Sequence, residues 1–158
     1  MANIVLTRVD DRLIHGQVMT AWVKHTFGNR IIIIDDLVAV DEFMVKVLRM
    51  AAPPGIHVEV YNTEEGANKL KEDSAKGENV IILVKYPKTI EELINRGVLI
   101  KELVVGGMAA AVGRKKFYKN ISASTEEKET FKQLLKKGVD IHIRIVPDDR
   151  PIPILKYL

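Results

Sequence analysis

The sequence predicts an α/β fold: a single domain with an open, mostly parallel, twisted sheet of six to seven strands and helices on both faces. Segments with strand-like and helix-like patterns alternate along the chain, which is typical of sheets built from βαβ units. Residues 30–35 and 79–84 are dominated by unbroken apolar runs, as expected for strands buried on both faces. A length of 158 residues suits one domain, so we assign residues 1–158 to it.

The first strand and helix enclose a polar connection. A short apolar strand is predicted at residues 3–7, and the helix at 16–27 ends before Gly28, a common helix stop. Val18 and Trp22 lie one turn apart on this helix and are predicted to face the core.

The second strand, at 30–35, precedes a helix at 41–52, which has acidic residues at its start and prolines after its end. Three of its apolar side chains recur at helical spacing and are predicted to face the core: Phe43, Val47 and Met50. Residues 56–61 alternate as a strand with an exposed His57, and a helix at 63–75 begins at a threonine cap.

The second half of the chain continues the alternation. It contains predicted strands at 79–84, 101–105, 119–122 and 139–146 and predicted helices at 90–96 and 126–137. The helix at 126–137 has acids first and lysines last, which complements its dipole. Residues 139–146 alternate, so we predict an edge strand whose wet face includes His142. Residues 114–116 are the densest basic cluster and are interpreted as a solvated loop.

The connection between the first strand and the first helix carries the strongest functional signal. It combines two arginines, two aspartates and a histidine: Arg8, Asp10, Asp11, Arg12 and His15. In open α/β sheets this connection lies at the carboxyl edge, where ligands bind. An imidazole that accepts a phosphoryl group needs one free lone pair, a partner that fixes its tautomer, and cationic donors nearby.

These residue types can fill those roles. Arg8 and Arg12 can supply planar donors, and Asp10 or Asp11 can hold an arginine or the imidazole. Backbone N–H groups near the helix start favour an anion, which makes four further residues candidates for phosphate binding: Leu13, Ile14, Gly16 and Gln17. The residues alone leave open a second interpretation, a solvated ion-pair loop in which His15 only caps the helix.

Accessory candidates follow other strands at the same edge. Asp36 comes after the second strand, and Lys85 follows the strand at 79–84. Gly106 and Gly107 follow the strand at 101–105, and paired glycines permit a close approach of backbone to a ligand or a tight turn.

The segment VDDRLIHGQV at residues 9–18, with Trp22 four residues on, resembles the signature of the EIIB components of the mannose/fructose/sorbose family of the bacterial phosphoenolpyruvate-dependent sugar phosphotransferase system. Four later segments resemble other parts of these proteins, and the resemblance covers nearly the whole chain: residues 36–41, 50–55, 84–87 and 105–108. Asp35 departs from the pattern, since the family more often has Asn there.

The resemblance implies a phosphoryl carrier. In this interpretation, Nδ1 of His15 accepts a phosphoryl group from the phosphohistidine of a cognate EIIA protein or domain. It then passes the group to a sugar bound by an EIIC/EIID membrane carrier, the only route by which the chain would associate with a membrane. Two alternatives are a non-catalytic module that binds a small phosphorylated ligand, and a histidine phosphatase or mutase. The latter normally has Arg where Ile14 precedes His15.

Composition excludes several other classes. The formal net charge is +3 without a dense basic tract, so nucleic acid is not expected as a partner. Cysteine is absent, which excludes disulfides, thiolate nucleophiles and cysteine metal sites, and we expect neither metal nor cofactor. No signal-peptide pattern opens the sequence, and its apolar runs fall far short of the about 20 residues that span a bilayer. A cytoplasmic location is therefore expected.

Overall fold

A computed structural model describes residues 1–158. The strands are β1 (Ile4–Asp10), β2 (Arg30–Ile34), β3 (His57–Tyr61), β4 (Val80–Val84), β5 (Glu102–Gly107), β6 (Lys115–Tyr118), β7 (Ile121–Ala123), β8 (Asp140–Ile143) and β9 (Ile152–Pro153). The helices are α1 (Gly16–Thr26), α2 (Asp36–Ala39), α3 (Glu42–Ala51), α4 (Thr63–Lys71), α5 (Pro87–Asn95) and α6 (Thr125–Lys136), followed by a 3₁₀ turn (Ile154–Tyr157).

Seven strands form one sheet in the order β3-β2-β4-β1-β5-β8-β9, and β6 and β7 form a separate hairpin. All neighbouring pairs of the main sheet are parallel except β8 and β9. The predicted α/β class and mostly parallel sheet are therefore confirmed. β1 lies at the centre of the order, so the connection after it emerges in the middle of the carboxyl edge. None of the helices has the length and apolar character needed to cross a bilayer.

The sheet separates two apolar cores. Alternate side chains of β2 point to opposite faces, as strand geometry requires. Ile31 and Ile33 pack with Trp22 of α1 in one core. Ile32 and Ile34 pack in the other, which also contains side chains from α4, α5 and α6. Helices thus cover both faces, and the predicted burial of Trp22 is confirmed.

The prediction of which face of α3 packs on the core is wrong. Phe43 and Met50 are 75% and 86% exposed, and Val47 is also exposed, whereas Leu48 is buried. Helical spacing identifies apolar stripes but does not tell which stripe faces the sheet. Here the short helix α2, which the sequence analysis did not predict, precedes α3, and Leu48 is the side chain that α3 inserts into the core.

This orientation predicts opposite effects for neighbouring substitutions on α3. Leu48→Ala should lower the free energy of unfolding by about 2–5 kcal/mol, since it removes a buried side chain. Phe43→Ser and Met50→Ser should change it by no more than about 0.5 kcal/mol, since both side chains are exposed. Urea unfolding of the three variants measures this. A large loss in the Phe43 or Met50 variant would show that the helix packs the other way round.

The last strand also differs from its prediction. β8 is shorter than residues 139–146 and is not the edge of the sheet, because the proline-rich tail returns and adds β9. His142 pairs with Pro153 in this added strand and is buried instead of lying on a wet face. The period-two pattern predicted the strand itself but held no information about the segment that covers it.

Candidate functional site

β1 extends further than predicted, and this places two candidate residues inside the sheet. Arg8 and Asp10 belong to the strand rather than to the connection after it, because Val9 between them packs in the core and the strand stays paired on both sides. Residues two apart on a strand point to the same face. Both side chains are buried, and Arg8 has no exposed surface.

Asp10 is the centre of the hydrogen-bond network. Its Oδ2 accepts from Nη2 of Arg8 at 3.2 Å and from Nε2 of His15 at 3.0 Å. Its Oδ1 accepts from the backbone N–H of Arg12 at 3.0 Å and from Nε of Arg12 at 3.3 Å. The buried carboxylate of Asp10 thus accepts four hydrogen bonds, and all of their donors belong to this short segment of the chain.

The charge state of Asp10 follows from these donors. Burial alone would raise the pKa of the Asp10 carboxyl, but the backbone N–H of Arg12 and the charge of Arg8 outweigh burial and hold that pKa below its usual value. Burial also lowers the pKa of the Arg8 guanidinium, and the nearby Asp10 opposes this shift. Asp10 is therefore a carboxylate at neutral pH and acts only as an acceptor.

His15 presents one ring nitrogen to Asp10 and the other to its surroundings. Because the carboxylate can only accept, Nε2 carries the proton and Nδ1 carries the lone pair. No hydrogen bond engages Nδ1, and the side chain is 22% exposed. His15 does occupy the N-cap position of α1, but its side chain makes no capping bond. The interpretation of His15 as a mere helix cap is therefore wrong.

The turn that leads to His15 has two residues in the left-handed region. Leu13 has a φ of 56° and Gly16 a φ of 44°, the latter with open space where a side chain would begin. Leu13 was predicted to bind phosphate through its N–H. That N–H instead donates to the carbonyl of Asp10 at 2.9 Å and is therefore not available to an anion. The side chains of Leu13 and Ile14 are buried and anchor the turn. Gly16 and Gln17 are exposed at the helix start, where N–H groups lack intrahelical partners.

The two remaining charged residues point in different directions. The side chain of Arg12 is 54% exposed and uses only Nε toward Asp10, which leaves its two terminal nitrogens without a hydrogen-bond partner. Asp11 turns away from His15: its Oδ2 accepts from the N–H of Ala109 at 2.6 Å and from Nη1 of Arg114 at 3.0 Å. Asp11 therefore ties the connection to the segment that follows β5.

Arg114 is not part of a solvated loop, as residues 114–116 were predicted to be. Its side chain is buried and also donates to both carboxylate oxygens of Glu127 on α6. Burial, the largest single influence, lowers the pKa of Arg114, but the hydrogen bonds that Arg114 donates to Glu127 and Asp11 and the charges of these two carboxylates raise that pKa overall. The contact between Asp11 and Arg114 spans 103 positions, so no local pattern could have revealed it.

The accessory candidates Asp36 and Lys85 make no hydrogen bond or ion pair with His15. Oδ1 of Asp36 accepts from N–H and Oγ1 of Thr63, so it holds the connection between β3 and α4. Nζ of Lys85 lies 5.8 Å from the centre of the Tyr86 ring. Lys85 and Asp11 both line a shallow groove of about 350 Å³ beside the connection. No group of three His, Cys, Asp or Glu side chains is arranged to hold a metal ion.

The paired glycines lie against side chains of the site. A Cβ on Gly106 would overlap the guanidinium of Arg8, and a Cβ on Gly107 would lie 3.0 Å from Oδ1 of Asp10. Their close approach is thus to the charged side chains of β1. Arg144 belongs to the site without any local signal in the sequence: its backbone carbonyl accepts from Nη1 of Arg8 at 2.9 Å across 136 positions.

A histidine with one nitrogen committed to a carboxylate has its other nitrogen free as a nucleophile. In this chain His15 lies at the start of α1, and its partner Asp10 also accepts from the exposed Arg12. The geometry thus defines a class, α/β proteins in which a histidine bonded to a buried carboxylate lies at the carboxyl edge of a mostly parallel sheet.

Comparison with known proteins identifies the family within that class. The family model of the PTS system sorbose subfamily IIB component matches residues 4–158. The sorbose-specific EIIB component of Klebsiella pneumoniae is 39% identical over 97% of this chain and 93% of that protein. The mannose-specific EIIAB component of Escherichia coli K12 is 36% identical over 98% of this chain and 48% of that protein. The crystal structure of the IIBSor domain of the K. pneumoniae sorbose permease has a TM-score of 0.93 at 38% identity, covering 98% and 94% of the two chains.

The chain belongs to the sorbose-subfamily IIB components of the sugar phosphotransferase system. The resemblance carried by residues 9–18 is therefore confirmed. Proteins of this class take part in phosphoryl transfer during sugar uptake.

Proposed function

We propose that Nδ1 of His15 accepts a phosphoryl group from phosphorylated EIIA and passes it to a sugar bound by an EIIC/EIID membrane carrier. The observation that carries this proposal is the bond between Nε2 of His15 and Oδ2 of Asp10. It fixes the tautomer, and it leaves the unbonded Nδ1 as the nucleophile. Family membership supports the reaction class, and the geometry supports the choice of residue and nitrogen.

The transfer consists of two displacements at phosphorus. First, the lone pair of Nδ1 attacks the phosphorus of the donor phosphohistidine. A new N–P bond forms as the donor's N–P bond breaks, and the donor ring keeps that electron pair. The positive charge that develops on the ring of His15 is stabilised by the carboxylate of Asp10 through Nε2–H. Then a sugar hydroxyl oxygen attacks the phosphorus as the bond between Nδ1 and phosphorus breaks. Nδ1 recovers its electron pair, the ring of His15 returns to its neutral form with Nε2 protonated, and the proton of the hydroxyl is released to water.

The phosphoryl oxygens need donors, and the site supplies two kinds. The side chain of Arg12 is exposed, and its terminal nitrogens have no hydrogen-bond partner and carry a fixed positive charge. The N–H groups of Gly16 and Gln17 lie at the positive end of the α1 dipole. Arg8 was predicted as a direct donor, but its buried guanidinium is engaged by Asp10 and by a carbonyl. We therefore assign Arg8 the role of positioning Asp10.

The EIIA partner has independent support. In the mannose-specific EIIAB component of E. coli, this chain matches about half of the length, so a related IIB region is joined to further sequence in a protein named for both components. A formal net charge of +3 favours encounter with an acidic surface, because opposed charges accelerate association.

Phosphorylation of the purified protein tests this proposal. Incubation with phosphoenolpyruvate, the upstream enzymes and EIIA should add one phosphoryl group, visible by intact mass and labile in acid. His15→Ala should abolish the adduct, while His57→Ala should retain it, because the side chain of His57 is exposed and its Nε2 faces Glu59 at 3.7 Å. Acid-labile labelling that persists in His15→Ala would refute the proposal. Reversible binding without an adduct would support the ligand-binding module, and turnover of phosphate esters would support the phosphatase.

A further inference from the structure

The arginine beneath Asp10 is itself held by a second layer of residues. Arg8 has no exposed surface, and its Nε has no hydrogen-bond partner. Its only carboxylate partner is Asp10, and its Nη1 donates to the carbonyl of Arg144 at 2.9 Å. The guanidinium carbon also lies 5.4 Å from the ring centre of Trp22, within cation–π distance. With so few polar partners, the position of Arg8 depends on the shape of the space around it.

Gly106 provides that space. It lies on β5 beside β1, and a Cβ built there would overlap the carbon and both terminal nitrogens of the Arg8 guanidinium. The obstacle to a side chain at this position is therefore a buried, charged group that is held by hydrogen bonds to Asp10 and to the carbonyl of Arg144. The φ of Gly106 is not in the left-handed region, so its backbone conformation does not require a glycine at this position. The absence of a side chain serves the placement of Arg8.

The turn after β8 also contacts the guanidinium of Arg8, through the carbonyl of Arg144. The N–H of Arg144 continues the pairing with Val105 at 3.1 Å, and its guanidinium donates to the carbonyls of Asp149 and Pro147 within the same turn. The guanidinium carbon of Arg144 also lies 5.4 Å from the ring centre of Trp22.

Trp22 joins the two arginines to this turn. Its Nε1 donates to the carbonyl of Ile145 at 2.9 Å, so one indole contacts both guanidinium groups and the turn. The side chain of Arg144 thus braces the turn in which the carbonyls of Arg144 and Ile145 accept from Arg8 and Trp22.

We propose that Gly106 and Arg144 are positioning residues for phosphoryl transfer: together they seat Arg8, which holds Asp10 against Nε2 of His15. The consequence for transfer rests on the proposed function of His15, whereas the effect on the His15 ring does not. If Arg8 shifts, Asp10 loses one of its donors and its defined position. Nε2 of His15 is then no longer held as the protonated nitrogen, and Nδ1 is less often the free nucleophile.

Gly106→Ala tests directly whether the position of the Arg8 guanidinium depends on the space beside Gly106. The ¹⁵N chemical shifts of the His15 ring should report a single Nε2–H tautomer in the wild type and a mixture in the variant. The rate of phosphorylation by EIIA should fall by about 10–100-fold, because small misplacements of reacting groups have effects of this size. The concentration of EIIA at half-maximal rate should stay unchanged, since the substitution is buried.

Gly66→Ala is the matched control. A Cβ there would lie 2.8 Å from the side chain of Ile34, which crowds the core but is remote from the hydrogen bonds of His15. The stability of Gly66→Ala should differ from that of the wild type, while the tautomer of His15 and the rate of phosphorylation by EIIA should not.

Arg144→Ala provides a second, independent variant, which carries the test if Gly106→Ala does not fold. Arg150→Ala, an exposed arginine on the same stretch of chain, is its control. Wild-type shifts and rates in both Gly106→Ala and Arg144→Ala, with the wild type itself phosphorylated, would overturn the positioning proposal and leave the proposed function intact. A wild type that is not phosphorylated would overturn the proposed function, while the ring shifts would still decide the positioning proposal.

Discussion

Asp10→Asn is expected to slow phosphoryl transfer to His15 by about 10²–10⁴-fold, since loss of a partner that fixes a catalytic tautomer has effects of this order. The amide has nearly the size of the carboxylate but can present its NH₂ group to Nε2. That arrangement favours the tautomer with the proton on Nδ1, which removes the lone pair that attacks phosphorus. Rapid-mixing measurement of the phosphorylation rate at saturating EIIA checks this result.

Glu59→Gln is the control for this experiment. Glu59 is a partly buried carboxylate bonded to Arg30 and Tyr61, so its substitution also weakens an ion pair. Burial raises the pKa of Glu59, but the hydrogen bonds donated by Arg30 and Tyr61 outweigh burial and hold that pKa below its usual value. Glu59 therefore resembles Asp10, whose pKa is also lowered by its donors. A comparable loss of rate in Glu59→Gln would show that general destabilisation, rather than the His15 tautomer, explains the effect of Asp10→Asn.

Arg8→Met should lower the free energy of unfolding at neutral pH by about 3–5 kcal/mol, the usual range when one partner of a buried ion pair is removed. The remaining Asp10 carboxylate would stay buried without the positive charge beside it. Urea unfolding followed by the fluorescence of Trp22, the only tryptophan, measures the loss. Arg96→Met, at an exposed arginine, should change stability by no more than about 0.5 kcal/mol.

The pH dependence of Arg8→Met has a defined sign. In the wild type the pKa of Asp10 lies below its unfolded value of about 3.9, so its ionisation contributes stability above that pH. This stability is lost as the pH falls through the folded pKa. Without Arg8, burial is less opposed, and the pKa of Asp10 should rise. The unfolded state is common to both proteins, so the difference in stability between wild type and Arg8→Met should narrow as the pH falls from the raised pKa of Asp10 in the folded variant to its lower pKa in the folded wild type. A difference that stays constant with pH would mean that Asp10 is not the group left uncompensated.

The fold was predictable because it depends on strong local patterns. The apolar runs of β2 and β4 indicate strands buried on both faces, and their alternation with helices indicates a parallel sheet. The same patterns fail where a distant segment decides the outcome. His142 lies on an alternating strand, yet it is buried because the tail adds β9. Phe43 lies on an amphipathic helix, yet a different stripe of α3 faces the sheet.

The candidate site was predictable in composition but not in arrangement. Charged residues at the end of an apolar run suggest a loop, whereas Arg8 and Asp10 continue the strand, which stays paired on both sides, and Gly106 leaves space for the guanidinium of Arg8. Asp10 and Asp11 are adjacent and chemically identical, and their spacing cannot tell which one faces His15. The structure distinguishes them through contacts made more than ninety positions away, such as that of Asp11 with Ala109.

The nitrogen that carries the phosphoryl group gives the most direct test of the account. ³¹P–¹⁵N coupling in the phosphorylated, histidine-labelled protein identifies that atom. The account predicts phosphorus on Nδ1 of His15, with Nε2 protonated and facing Asp10. Phosphorus on Nε2, or on any residue other than His15, would contradict it.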